Sequence, residues 1–145
     1  MLENLLCEVK KIESAVGYEI VAPAHKIEID RLKDWTFSHI KNDLWFSEYE
    51  DFLKLRNGLD FDGFIIYCTN PEDENNDFII ANSVWRNEYK ENGNYLFFGE
   101  SGISWFVFDI TLERFVELDK PSGDFIKSYD SFNHMLINIL KRAIG

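Results

Sequence analysis

The hydrophobic pattern changes its period at Asn57-Gly58, and this change constrains the fold more than any other feature of the sequence. Before it, Trp45, Tyr49 and Phe52 recur at helical spacing among charged residues, which predicts an amphipathic helix. After it, Phe64–Tyr67 has the composition of a β-strand. Glycine readily adopts a positive φ, so Gly58 suits the end of the helix. The chain is therefore predicted to pass from a helix into a β-sheet at this point.

The ends of the other predicted helices follow from caps and from breaks in the pattern. Apolar residues at helical spacing predict a helix over residues 2–15. A second helix is predicted after Pro23, although the apolar residues there also fit the alternation of a strand. Asn42 or Asp43 is predicted to cap the helix before Gly58, since short polar side chains accept hydrogen bonds from a first helical turn.

The second half of the chain combines strands with two more helices. A short helix is predicted over Ser83–Lys90, and Phe78–Ala81 fits either a short strand or the start of that helix. Asp130 or Ser131 is predicted to cap a final helix that has a continuous apolar stripe. Three strands are predicted between these helices, over Tyr95–Phe98, Ile103–Ile110 and Arg114–Leu118. The order predicts one α+β domain over residues 1–145, with an antiparallel β-sheet packed against N- and C-terminal helices.

Composition and charge narrow the classes of partner. The 145 residues carry a formal net charge of −11, so phosphate backbones and anionic membrane surfaces are repelled, and we expect no nucleic acid and no membrane partner. A basic protein would be attracted instead. The N-terminus has no basic segment followed by an apolar run, so no signal peptide is predicted. Cys7 and Cys68 have no metal-binding spacing, and we expect a cytoplasmic protein.

Patterns typical of catalysis or of metal binding are weak, so no catalytic, cofactor or metal residue is predicted. Gly99–Gly102 differs from a nucleophile elbow because its second glycine comes one position early and a strand follows, which favours a hairpin turn. The three histidines lack the spacing of metal ligands. Asp60 and Asp62 are expected to share one face of a strand, but the third ligand of a calcium loop is missing.

An acidic loop is the strongest candidate for binding a partner. Its acidic residues are Glu72, Asp73, Glu74 and Asp77, and Trp85 and Tyr89 follow on the next predicted helix. A solvated loop and a docking patch for a basic partner both fit this pattern. The two aromatic residues fit either the core or a surface on which cationic side chains stack.

Several short motifs resemble, in order and spacing, those of the SMI1/KNR4 (SUKH) superfamily over about Pro23 to Phe132. The matching residues are Pro23-Ala24, Ile29, Leu32, Tyr49, Phe52-Leu53, Asn57-Gly58, Gly63, Tyr67, Tyr95–Gly99 and Ser131-Phe132. The glycine-rich stretches after Asn57 and Phe97 are most similar to the YrhA-like branch. One departure is that Trp45-Phe46 stands where the family has Leu-Pro, so a rigid helix start is lost.

The resemblance implies an α+β protein that acts by binding and not by catalysis. Many bacterial members are immunity proteins that neutralise toxins delivered by neighbouring cells, and eukaryotic members act as adaptors in cell-wall signalling. We therefore expect an immunity protein whose partner is a basic toxin domain. A scaffold that recruits cellular proteins and a small hydrolase are the alternative functions.

Overall fold

The computed structural model describes residues 1–145 and contains five helices and a single six-stranded sheet, which confirms the α+β class. The helices are α1 (Leu2–Ala15), α2 (Lys26–His39), α3 (Ser47–Leu55), α4 (Phe78–Glu88) and α5 (Phe132–Ile144). The strands are β1 (Leu59–Phe61), β2 (Phe64–Ile66), β3 (Tyr95–Glu100), β4 (Ser104–Asp109), β5 (Arg114–Asp119) and β6 (Phe125–Tyr129). None of the helices is both long enough and apolar enough to cross a membrane.

The sheet is an antiparallel meander in which each strand pairs with the next along the chain. Its pairing is irregular at Phe98, where β3 carries one more residue than β4. At this irregularity the side-chain amide of Asn82 takes the role of a neighbouring strand. It accepts from the Phe97 N–H at 2.7 Å and donates to the Phe97 carbonyl at 2.9 Å. This pair of hydrogen bonds fixes α4 on the sheet.

Helices cover both faces of the sheet at its centre. On one face, Phe132 of α5 and Tyr49 of α3 contact Phe98, and α1 packs beside α5. On the other face, Trp85 of α4 packs edge-on against Trp105 of β4. All six residues of β4 are consequently buried, although solvated antiparallel strands usually bury alternate residues only.

The structure corrects the start of α3 and establishes the bounds of α4. α3 begins at Ser47 and not at Asn42 or Asp43, because Asp43 lies in a turn with φ +64°. The alternative in which Phe78–Ala81 starts the helix is confirmed, and one helix runs from Phe78 to Glu88, so it ends before the predicted Lys90. Buried Asn82 interrupts the apolar pattern of that helix.

Two further details differ from the sequence-based predictions. Asp62 lies in the β1–β2 turn with φ +49°, so Asp60 and Asp62 do not share a strand face. β6 was not predicted, because four of its five residues are exposed and show no apolar alternation. The predicted ends at Ala15, near Gly58 and at Ser131 are confirmed, with Gly58 at φ +91° and the Ser131 hydroxyl accepting from the His134 N–H.

A buried ion pair joins α1 to the turn that follows α3. The guanidinium of Arg56 donates two parallel hydrogen bonds of 3.1 Å to the carboxylate of Glu13, and each side chain is 8% exposed. Arg56 Nε also donates to the Gly58 carbonyl at 2.9 Å. Burial makes the removal of either partner costly, since the other charge would be left without compensation.

Gly99 allows β2 and β3 to approach closely. A Cβ at this position would lie 2.2 Å from the Ile65 carbonyl oxygen, whereas a Cβ at Gly102 would meet nothing within 4 Å. We predict that Gly99→Ala lowers the free energy of unfolding by at least about 3 kcal/mol, because backbone atoms must move apart. Gly102→Ala is the matched control and should stay within about 0.5 kcal/mol of the parent protein. Urea denaturation followed by circular dichroism measures both, and equal midpoints would contradict the steric argument.

Loss of one partner of the buried ion pair should cost more than loss of both. Glu13→Gln is expected to lower the free energy of unfolding by about 3 kcal/mol at neutral pH. The double variant Glu13→Leu with Arg56→Leu should be closer to the parent, because no uncompensated charge remains. Glu8→Gln, on the exposed side of the same helix, controls for a change of one charge. A double variant less stable than Glu13→Gln would show that the pair itself stabilises the fold.

Candidate partner-binding groove

The acidic loop between β2 and α4 is held by its own backbone hydrogen bonds. Asp73 and Asn76 donate their N–H groups at 3.0 Å to the carbonyls of Asn70 and Asp73, which makes two successive turns. The loop then returns to Cys68, whose N–H donates to the Asn76 carbonyl at 2.7 Å. These bonds hold the loop beside the strands β1 and β2.

An open groove of about 730 Å³ lies between this loop, α4 and the strands. Its lining consists of Asp60, Ile65, Asp73, Glu74, Asn75, Asn76, Ala81, Val84, Trp85 and Glu100. We call this depression the acidic groove. It combines four carboxylates with an aromatic ring and aliphatic side chains, a composition suited to a cationic side chain with an apolar stem.

Strand register explains why Asp60 and Glu100 both reach the groove. Asp60 pairs with Ile65 across β1 and β2, and Ile65 pairs with Glu100 across β2 and β3. Directly paired residues point to the same face of a sheet. The two carboxylates therefore flank Ile65 on the face that α4 covers further along.

The structure brings together three of the six residues predicted from the sequence. Asp73, Glu74 and Trp85 line the acidic groove, while Glu72 is exposed on the same loop outside the lining. Tyr89 is half-buried and packs edge-on against Trp105 on the face of the sheet that α4 covers.

Asp77 has a structural role and offers no surface to a partner. Its side chain is fully buried, where it accepts from the Ile80 N–H at 3.1 Å and so caps α4. Its other oxygen forms an ion pair with the guanidinium of Arg31. Including Asp77 in a docking patch is therefore wrong, since sequence adjacency to Glu74 does not make it accessible.

Asp60 and Glu100 also line the groove, although the sequence pattern predicts neither as a partner-binding residue. The sequence indicates Asp60 only as half of a carboxylate pair and Glu100 only as part of a turn. Their proximity depends on the pairing of three strands, and β3 lies far along the chain from β1. Only the register of these strands could have revealed it.

At one end of the groove, which we call the Glu100 end, the carboxylate of Glu100 already accepts hydrogen bonds from the protein itself. Glu100 Oε2 accepts from the Tyr67 hydroxyl and from Trp85 Nε1, both at 2.7 Å. Lys120 Nζ lies 3.4 Å from Glu100 Oε1. Burial, reinforced by the neighbouring Glu100 carboxylate, raises the pKa of Tyr67 well above its ordinary value, so its hydroxyl remains a donor at neutral pH.

The opposite end, which we call the Asp60 end, contains Asp60, Asp73 and Glu74. Asn76 Nδ2 donates to Asp60 at 3.3 Å and to Asp73 at 3.1 Å, and so links the two carboxylates. No lysine, arginine or histidine forms an ion pair with any of the three acids. Their negative charge is therefore not compensated by any cationic side chain of the protein.

The residues near the groove that are most often metal ligands or nucleophiles have the following environments. No group of three or more His, Cys, Asp or Glu side chains is arranged to hold a metal ion. Cys68 lines a smaller depression beside the loop, and burial raises the pKa of its thiol to about 11, which keeps it protonated and weakly nucleophilic at neutral pH. Ser101 Oγ accepts from the N–H groups of Ile103 and Ser104 inside the predicted hairpin turn.

No protein-family model matches this chain, and no curated protein matches it.

The acidic residues of the loop should separate into structural and non-structural ones. We predict that Asp77→Ala lowers the free energy of unfolding by about 2 kcal/mol, because it removes a helix cap and leaves Arg31 without its partner. Glu74→Ala, a loop carboxylate with no hydrogen bond, should change it by less than about 0.5 kcal/mol. Thermal and urea denaturation measure both variants. Equal destabilisation by the two substitutions would refute the assignment.

Proposed function

We propose that this chain is a non-enzymatic immunity protein of the SMI1/KNR4 (SUKH) type, which acts in the cytoplasm and neutralises a basic toxin domain by stoichiometric binding. The observation that carries the proposal is the acidic groove, in which no lysine, arginine or histidine of the chain pairs with Asp60, Asp73 or Glu74.

The groove matches the side chains by which a basic protein would be recognised. The aliphatic stem of a lysine or arginine finds apolar surface on Ile65 and Val84, and its charged head finds carboxylates at the Asp60 end. The net charge of −11 attracts a basic partner over long distances and raises its association rate. Both effects favour binding to a cationic surface.

The residues that carry the family resemblance support the same proposal through the fold. Tyr49, Phe52 and Leu53 are buried, and the Tyr49 hydroxyl donates to the Tyr67 carbonyl at 2.7 Å. Gly58 and Gly99 occupy positions at which a Cβ would be 2.8 Å and 2.2 Å from its nearest neighbour. These residues have the structural role that the resemblance implies for its motifs.

The test is co-expression with a toxin domain encoded beside this gene in its native genome. The parent protein should restore growth, and protection should saturate at one equivalent of protein to toxin. The groove variant Asp60→Asn, Asp73→Asn, Glu74→Gln should bind the toxin about tenfold more weakly or worse, measured by calorimetry at low salt.

A control variant with the same net charge distinguishes the effect of the groove carboxylates from the effect of the overall negative charge. Glu8, Asp34 and Asp51 are exposed acids that form no ion pair, and their triple amide variant changes the charge equally. It should keep most of the affinity. Equal losses in both variants would contradict the groove as the binding surface, and protection far below one equivalent would indicate catalysis.

A further inference from the structure

The residues at the Glu100 end of the acidic groove, Trp85 and Glu100, already contact a cation of the protein itself, which lies just outside the groove lining. Lys120, the residue after β5, is anchored by its N–H, which donates to the Ile103 carbonyl at 3.0 Å. Its ammonium lies 4.9 Å from the centre of the Trp85 ring and 3.4 Å from both Glu100 Oε1 and the Ser101 carbonyl. The Lys120 side chain is 21% exposed, so water screens this contact only in part.

The contact with Lys120 weakens the attraction of Trp85 and Glu100 for a cationic side chain of a partner. Glu100 accepts hydrogen bonds from two neutral donors besides Lys120, so little of its charge is uncompensated. A second cation on the Trp85 ring would be repelled by the ammonium already there. Stacking of a partner's cation on Trp85 is therefore opposed as long as Lys120 stays in place.

At the Asp60 end, in contrast, no cation of the protein compensates the negative charge. Its three carboxylates have no cation of their own, and the only polar group that joins two of them is the neutral amide of Asn76. Both ends belong to one groove, so an incoming cation has a choice between a compensated and an uncompensated carboxylate. Coulomb energy favours the uncompensated end.

We propose that Lys120 is a built-in counter-ion, which directs a lysine or arginine side chain of the protein partner to the Asp60 end and lowers the affinity of the groove for cations. This inference deepens the proposed function and rests on it for the identity of the natural partner. It makes Lys120 a specificity-determining residue, although Lys120 has the same charge as the partner that the groove would bind.

The experiment uses an acetylated hexa-arginine amide as the probe, titrated into the 145-residue protein at low salt by calorimetry. Lys120→Met keeps the aliphatic stem and removes the charge, while Lys11→Met makes the same charge change at an exposed position on α1 that forms no ion pair. We expect Lys120→Met to bind about threefold more tightly than Lys11→Met. Lys120→Arg should restore the parent affinity, which separates the charge from local packing.

A second comparison locates the bound cation. The double substitution Asp60→Asn with Asp73→Asn should weaken binding of the probe when it is introduced into the parent protein. In the Lys120→Met background it should weaken binding by a smaller factor, because the probe can then bind at the Glu100 end instead. Heteronuclear NMR should show that addition of the probe changes the chemical shift of the Trp85 indole N–H in Lys120→Met. The same change should be much smaller in the parent protein.

The possible failures are distinguishable. Equal affinity of Lys120→Met and Lys11→Met, or binding of the probe to neither the parent protein nor Lys120→Met, would overturn the role of Lys120, and toxin neutralisation would still support the proposed function. Tighter binding by Lys120→Met without neutralisation of any toxin would support the counter-ion and overturn the immunity function.

Discussion

The close approach of β2 and β3 at Gly99 is the constraint on which the rest of this structure depends. The absence of a side chain there lets Ile65 and Ile66 pair with Glu100 and Gly99. That pairing connects the short β1–β2 hairpin to the four longer strands, so one sheet forms instead of two. It also sets the row Asp60–Ile65–Glu100, and with it the position of the carboxylates in the acidic groove.

Three of the four buried carboxylates have a specific cationic partner, whereas Asp109 accepts hydrogen bonds from Asn94 Nδ2 and the Leu112 N–H. Glu13 has Arg56, Asp77 has Arg31 and Glu117 has Arg142. Burial alone would raise the pKa of Glu117, but hydrogen bonds from Ser104, Arg142 and Tyr129 outweigh it and hold the pKa below its ordinary value. The more exposed carboxylates of the Asp60 end have no such cation, and Asp60 and Asp73 accept only from the neutral amide of Asn76.

Local patterns in the sequence were sufficient for the elements with a strong period or a clear cap. α1, α5 and the strands β3 to β5 were predicted close to their observed positions, because each has an apolar stripe, an alternation or a short apolar run. β6 has none of these, and the first turn of α4 fitted a strand as well as a helix. In the groove, proximity in sequence identified Asp73, Glu74 and Trp85, yet it also included buried Asp77 and omitted Asp60 and Glu100. The pairing register between strands places Asp60 and Glu100 in the groove, and this register depends on residues that are far apart in the sequence.

The attachment of α4 by the Asn82 amide has a consequence for the thermodynamics of association. Asn82 bonds both polar groups of Phe97, and Arg86 Nη1 donates to the Tyr95 carbonyl at 2.7 Å one turn later. Trp85 lies between these two attachments, so the aromatic wall of the groove is pre-organised before any partner arrives. Docking onto a rigid wall loses little conformational entropy, and a small contact area can then give a specific complex.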